Sequence, residues 1–245
     1  MPASIRSLAL VALLAVASGC ATSAVRTADS FDREAVEEVG IMPPEIEYFV
    51  RTATLTEPRP ERNDEVASVL VEALRNVLAR TPIRPEALVL TDSALVADPA
   101  LALELTRARE SVALRADSIA TLKAKTFTLA VDPEVGRFAD LADTDYLLFV
   151  RGSAFGSSGG AVARDAAVAA ATMILFGGLS VPSMNGLSIE LVLVDANTAE
   201  VVWYNRTGRN QAGSNPLNLR SVETHIERLL APLAPGHLRA RRRAA

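Results

Sequence analysis

The chain has 245 residues, 49% of them apolar and 22% charged, which is enough for one domain with a self-sufficient core. Its 25 basic and 29 acidic side chains leave a mild negative excess, which disfavours a surface for bulk nucleic acid. A single cysteine excludes a disulfide framework, so packing alone must hold the fold.

The chain opens with one charge, Arg6, and then runs uncharged from Leu8 to Ala17 as LALVALLAVA. That stretch is about half the ~20 residues needed to span a bilayer, so it reads as a removable export signal, not an anchor. Ala17-Ser18-Gly19 then lead directly into Cys20. This phrase resembles the lipobox of bacterial lipoproteins, departing from it only at Ala17, where the family usually carries leucine. The resemblance implies cleavage before Cys20, a diacylglyceryl group on its thiol, and a palmitate-type acyl chain on the new amino terminus. At about 0.8 kcal/mol per buried methylene, several such chains hold a protein on a membrane. Ala21 and Thr22 follow the cysteine, and the lack of aspartate there resembles lipoproteins passed on to the outer membrane. Residues 1–19 are therefore expected to be a lipoprotein signal peptide, and residues 20–30, small and polar, a lipidated flexible tether.

Folding is expected to start near Phe31, opening a domain over residues 31–235. Val36 to Val50 places Val39, Ile41, Ile46 and Phe49 around Pro43-Pro44, which predicts a first strand broken or ended at the prolines, with a kink or bulge expected there. From Asn63-Asp64 to Arg80, apolar residues recur every three to four positions, predicting an amphipathic helix with Asp64 as cap and Pro82 beyond its end. Asp98-Pro99 opens a second helix through Leu105, Val112 and Leu122, its cap followed by proline in the first turn. Lys125 to Val131, Asp145 to Phe155 and Leu187 to Asp195 read as strands. Ala-Asn-Thr-Ala-Glu then makes a turn before Val201-Val202-Trp203-Tyr204, completing a hairpin. A last helix from Asn218 to Leu233 turns Val222, Ile226, Leu229 and Leu230 inward, and residues 236–245 form a basic tail expected to be disordered. The expected fold class is α/β, a single domain with a mixed or mainly antiparallel sheet and packed helices.

The phrases Ala142-Asp143-Thr144-Asp145-Tyr146-Leu147-Leu148-Phe149-Val150 and Val194-Asp195-Ala196-Asn197-Thr198-Ala199-Glu200-Val201-Val202-Trp203 resemble the group that includes the curli-secretion lipoprotein and the amino-terminal domain of the TolB translocation protein. The resemblance covers about Val36 to Arg209. It implies a fold and brings no catalytic residue with it.

Gly156-Ser157-Ser158-Gly159-Gly160 fits a nucleophile-elbow pattern, with Asp195 and either His225 or His237 in the chain order a serine hydrolase needs. Against that reading, Arg151 to Phe155 separate the glycines from the apolar core of the strand, and no histidine-glycine segment lies upstream to form an oxyanion hole. A strand-to-helix loop accounts for the same residues. No Lys-Ser or Lys-Thr follows the glycines; Arg164-Asp165 comes later instead, so a phosphate loop is not indicated. Asp140, Asp143 and Asp145 lack the spacing of a calcium loop and read as a solvated turn. Ala166 to Ile189 carries no charge; it suits a short helix buried against the sheet, or a segment that meets the membrane or another subunit.

No enzyme, cofactor or metal is expected, and Cys20 is the principal functional residue. The expected function is a structural or accessory lipoprotein of the cell envelope, anchored through Cys20 and binding an envelope protein. The alternatives are a subunit of a homo-oligomeric export assembly and a serine hydrolase using Ser158.

Overall fold

The computed structural model describes residues 25–52, 55–87, 97–158, 185–207 and 215–234. Cys20, the segment 159–184, His237 and the basic tail lie outside them.

The sheet is built around two long strands, β7 (Tyr146–Ser157) and β8 (Gly186–Asp195), paired antiparallel from Tyr146–Asp195 to Phe155–Gly186. β8 continues through the turn at Ala196–Ala199 into β9 (Glu200–Arg206), the predicted hairpin. Asp195 caps that turn, its Oδ1 accepting from the amides of Asn197 (2.9 Å) and Thr198 (3.3 Å).

On the other flank, β2 (Glu38–Ile41) and β3 (Glu45–Arg51) both run parallel to β7, one beside its start and the other beside its end. They are the single predicted strand, interrupted at Pro43-Pro44 because neither proline can donate to the ladder. β4 (Thr56–Pro58) borders β3, and β5 (Arg84–Ala87) pairs with β2. Beyond β9 lie β1 (Arg26–Ala28), antiparallel to it, and β6 (Thr126–Phe127), parallel to β1. The described residues thus form one mixed sheet in a single α/β domain.

Alternation sorts the side chains onto two faces. Leu148, Val150, Leu191, Leu193 and Trp203 share one face with Asn205, whose Nδ2 donates to the Leu229 carbonyl at 2.7 Å. That face is covered by α1 (Asn63–Leu78) and α4 (Leu219–Leu230). α1 buries Val66, Leu70, Ala73, Leu74, Val77 and Leu78, and α4 buries Val222, Ile226, Leu229 and Leu230, the periodic positions of the sequence. Arg80 joins the two helices through Glu223 (3.0 Å) and Glu227 (2.8 Å).

The opposite face carries Phe149, Arg151, Val192, Glu190 and Tyr204. Over it lie α2 (Pro99–Thr121), whose Asp98 cap accepts from Leu101 N, and α3 (Val135–Ala142). Here the sheet buries charge. Arg151 is engaged by Glu190 across the strand pair and by Asp117 from α2, while Tyr204 Oη donates to Glu190 at 2.5 Å. Burial opposes the charge on Arg151, yet its carboxylate partners outweigh that and raise its pKa above the usual value. Burial first, and Glu190 second, also raise the Tyr204 pKa, so its hydroxyl stays a donor.

Four expectations change. The tether does not extend to Ser30, since Arg26–Ala28 already belong to the sheet and Ala28 is only 5% exposed. Asp64 does not cap α1: a 3-10 turn at Pro60–Arg62 leads straight into the helix, and Asn63 instead accepts from Tyr48 N at 2.9 Å, fixing the helix start to β3. The strand expected over Lys125 to Val131 shrinks to Thr126–Phe127 plus a bridge from Ala130 to Glu200, because its partner β1 is only three residues long. Finally, Asp140 and Asp143 belong to a helix and its left-handed cap, with Asp143 at φ 52°, not to a plain turn.

Two glycines test this packing. A Cβ at Gly152 would collide with the Ser188 carbonyl oxygen in the β7–β8 ladder, whereas a Cβ at Gly136 in α3 would meet nothing nearer than Ala196 O at 3.7 Å. Gly152→Ala is expected to cost about 1–3 kcal/mol through overpacking, while Gly136→Ala changes little or stabilises by up to about 1 kcal/mol. Urea midpoints of the two variants check this ordering.

Candidate functional site

Among the described residues the hydrolase constellation does not assemble. Ser158 follows the last residue of β7, its amide donating to Arg51 O at 2.9 Å. Asp195 pairs with Tyr146 at the first residue of the same strand. At about 3.3 Å per residue, Ser158 and Asp195 lie roughly 40 Å apart. His225 sits within α4 on the face packed against the sheet, 1% exposed, and its side chain meets no carboxylate. Among the described residues Ser158, Asp195 and His225 are therefore not brought together.

His225 is instead a buried polar residue of α4, as Asn205 is on β9, where Trp203 is buried as well. Both ring nitrogens of His225, Trp203 Nε1 and Asn205 Oδ1 make no hydrogen bond to the described protein. Burial, then the nearby Arg228, lowers the His225 pKa to about 4.

A cleft of about 490 Å³ lies at the other end of the ladder, where β2, β5 and β7 begin and the β8–β9 turn closes. Glu37, Glu38, Asp140, Asp143 and Asp145 line it, with Arg84 as its cation. Its shape comes from local capping. α3 ends at left-handed Asp143, Thr144 N returns to Ala139 O (3.1 Å), and Thr144 Oγ1 donates to Tyr146 O (3.0 Å). Asn197 Nδ2 ties the hairpin turn to Asp145 at 3.0 Å. Gly40 permits the close approach of β2, since a Cβ there would sit 2.9 Å from both Leu147 Cδ2 and Thr144 Oγ1. Arg84 is held by Glu38 at 3.3 Å. Burial, then Asp195, Asp145 and Asp32, raises the pKa of Tyr146 on the cleft wall.

The cleft therefore repels anions and favours cationic or hydrogen-bond-donating groups. Among the described residues no three potential ligands are placed to hold a metal ion. Sequence reasoning missed this site because α3 is short; the signal available was the spacing of Val135, Phe138, Ala139 and Ala142, one face of a helix.

The buried histidine gives a signed pH dependence. Its folded pKa of about 4 lies below the unfolded value near 6.5, so between those values the unfolded chain binds the proton more readily. Stability from this residue is complete above pH 6.5 and falls by about 3 kcal/mol as the pH drops to 4. Denaturation of the parent against His225→Leu from pH 7 to pH 4 should show the parent losing stability more steeply; parallel curves would contradict it.

No family model matches the sequence, and no curated protein matches it. Among solved structures, a PelC dodecamer from Paraburkholderia phytofirmans is similar at 15% identity and TM-score 0.38, covering 87% of this chain and 97% of that one. A DUF4136 family protein from Bacteroides thetaiotaomicron is similar at 9% identity and TM-score 0.32, covering 87% and 96%. Neither is a curli-secretion lipoprotein or a TolB domain, and no residue role is carried over from either.

Proposed function

We propose that this chain is a lipid-anchored accessory protein of the bacterial envelope, held by acyl chains on Cys20 at the periplasmic face of the outer membrane and binding an envelope partner. The observation that carries the reading is the placement of the chain's one cysteine, directly after an uncharged run and three small residues. The domain supports it in two ways. Among the described residues no helix is long and apolar enough to cross a membrane, and the reading assigns attachment to the acylated amino terminus. The nucleophile, acid and buried histidine that a hydrolase would need are scattered, which favours a binding role over the serine-hydrolase alternative.

In detergent phase separation, the parent protein is expected in the detergent phase. The Cys20→Ala chain, exported behind an ordinary cleavable signal, is expected in the aqueous phase. A parent recovered in the aqueous phase would overturn the proposal. Pull-down from detergent-solubilised membranes, with the same variant as control, identifies the partner, and light scattering of the extracted protein distinguishes a solitary accessory protein from an oligomeric assembly.

A further inference from the structure

The two ends of the sheet differ in charge. Around the cleft end stand Asp32, Glu37, Glu38, Asp140, Asp143, Asp145, Asp195 and Glu200, opposed by Arg33 and Arg84. Where the amino-terminal segment enters β1, the surface is cationic. The chain has only two lysines, Lys123 and Lys125, and both are exposed in the short link between α2 and β6. Arg26 lies beside them, its guanidinium donating to the carbonyls of Leu122 and Ala124 (3.1 Å). Arg206, exposed at the end of β9, completes the group.

Two acidic side chains on this side of the sheet are already engaged. Asp117 and Glu190 both bind Arg151, and Glu190 also takes the Tyr204 hydroxyl and faces Arg206 across the strands. Neither lysine has a salt-bridge partner among the described residues. The link residues Leu122 to Thr126 are all exposed, so the ammonium groups are not covered by the described residues.

Position gives this patch its partner. Residues Ala21 to Val25 are all that separate Cys20 from Arg26, a reach of at most about 20 Å when extended. β1 then leads away, toward Asp29, Asp32 and the acidic cleft. Resting on the lipid-anchor reading, we infer that Lys123 and Lys125, on a link that Arg26 holds in place, form with Arg206 a docking surface for an anionic phospholipid bilayer, orienting the domain with its acidic cleft pointing away from the membrane. Charge complementarity selects phosphate headgroups of net negative charge over zwitterionic ones, and the acidic end is repelled by the same surface. The short tether keeps the cations near the one or two Debye lengths, about 8 Å each, over which that attraction acts.

The test separates docking from anchoring by using the complete mature chain with Cys20→Ser, which has no thiol to acylate. Flotation with vesicles containing phosphatidylglycerol should recover the protein at low salt. Pure phosphatidylcholine vesicles should not, and raised salt should abolish binding. Lys123→Gln, Lys125→Gln and Arg206→Gln should each reduce partitioning about fivefold, roughly a hundredfold in combination. Equal flotation on both lipids, or a triple variant that partitions like its parent, would overturn the docking surface while leaving the anchor intact. In the acylated parent, amine labelling of the two lysines should be lower on anionic than on neutral vesicles; equal labelling would likewise overturn it. Absence of acylation at Cys20 would instead defeat the anchor reading, with the flotation result on the unacylated chain still deciding for or against the surface.

Discussion

The β7–β8 ladder is the constraint on which the rest depends. Its ten registered pairs run from Tyr146–Asp195 to Phe155–Gly186 with backbone in close contact at Gly152. Because side chains alternate, this one register decides which residues meet α1 and α4 and which meet α2 and α3. A slip of β8 by one residue would turn Glu190 under the apolar helix pair and Leu191 toward α2, leaving Arg151 on the other face. The half-buried ion pair makes that alternative costly, since Glu190, 9% exposed, would be separated from its cation in the interior. The same ladder holds its two ends far apart: the elbow-like serine at one, the aspartate and the acidic cleft at the other.

Charge on the α2 side of the sheet has a second consequence. Asp117 reaches down to Arg151, while Arg109 donates to Pro43 O at 2.8 Å and approaches Glu45 at 3.6 Å. Burial lowers the Arg109 pKa, with Glu45 opposing the shift. The long helix is thus joined to the sheet at the proline break between β2 and β3 and again near the middle of β7. Its C-terminal end, from which the lysine link departs, is thereby fixed beside the start of β1.

Much of the fold was legible in the sequence because long elements repeat their pattern. The spacing of Val66, Leu70, Leu74 and Val77 specifies α1, Asp98-Pro99 marks the start of α2, and the alternation of Leu187, Ile189, Leu191 and Leu193 specifies β8. Pro43-Pro44 located the break between two strands that share a neighbour. What the sequence concealed is short or small in side chain. Arg26-Thr27-Ala28 has too little apolar surface to announce a strand, and becomes one only because β9 and β6 lie on either side of it. The cleft was illegible for a related reason: its carboxylates are distributed over β2, α3 and the start of β7, and only the tertiary fold gathers them. The nucleophile-elbow pattern around Ser158 misled in the opposite way, because a local motif carries no information about where its partners fall.

If Cys20 is acylated as proposed, it fixes the chain to a membrane with five residues between it and β1, and the strand directions carry the acidic cleft to the far end. Metabolic labelling with an alkyne fatty acid, followed by mass measurement of the amino-terminal peptide, tests the central claim most directly. The account predicts label on the parent, none on Cys20→Ala, and a mature peptide that begins at acylated Cys20. An unlabelled parent, or a mature terminus elsewhere, would contradict it.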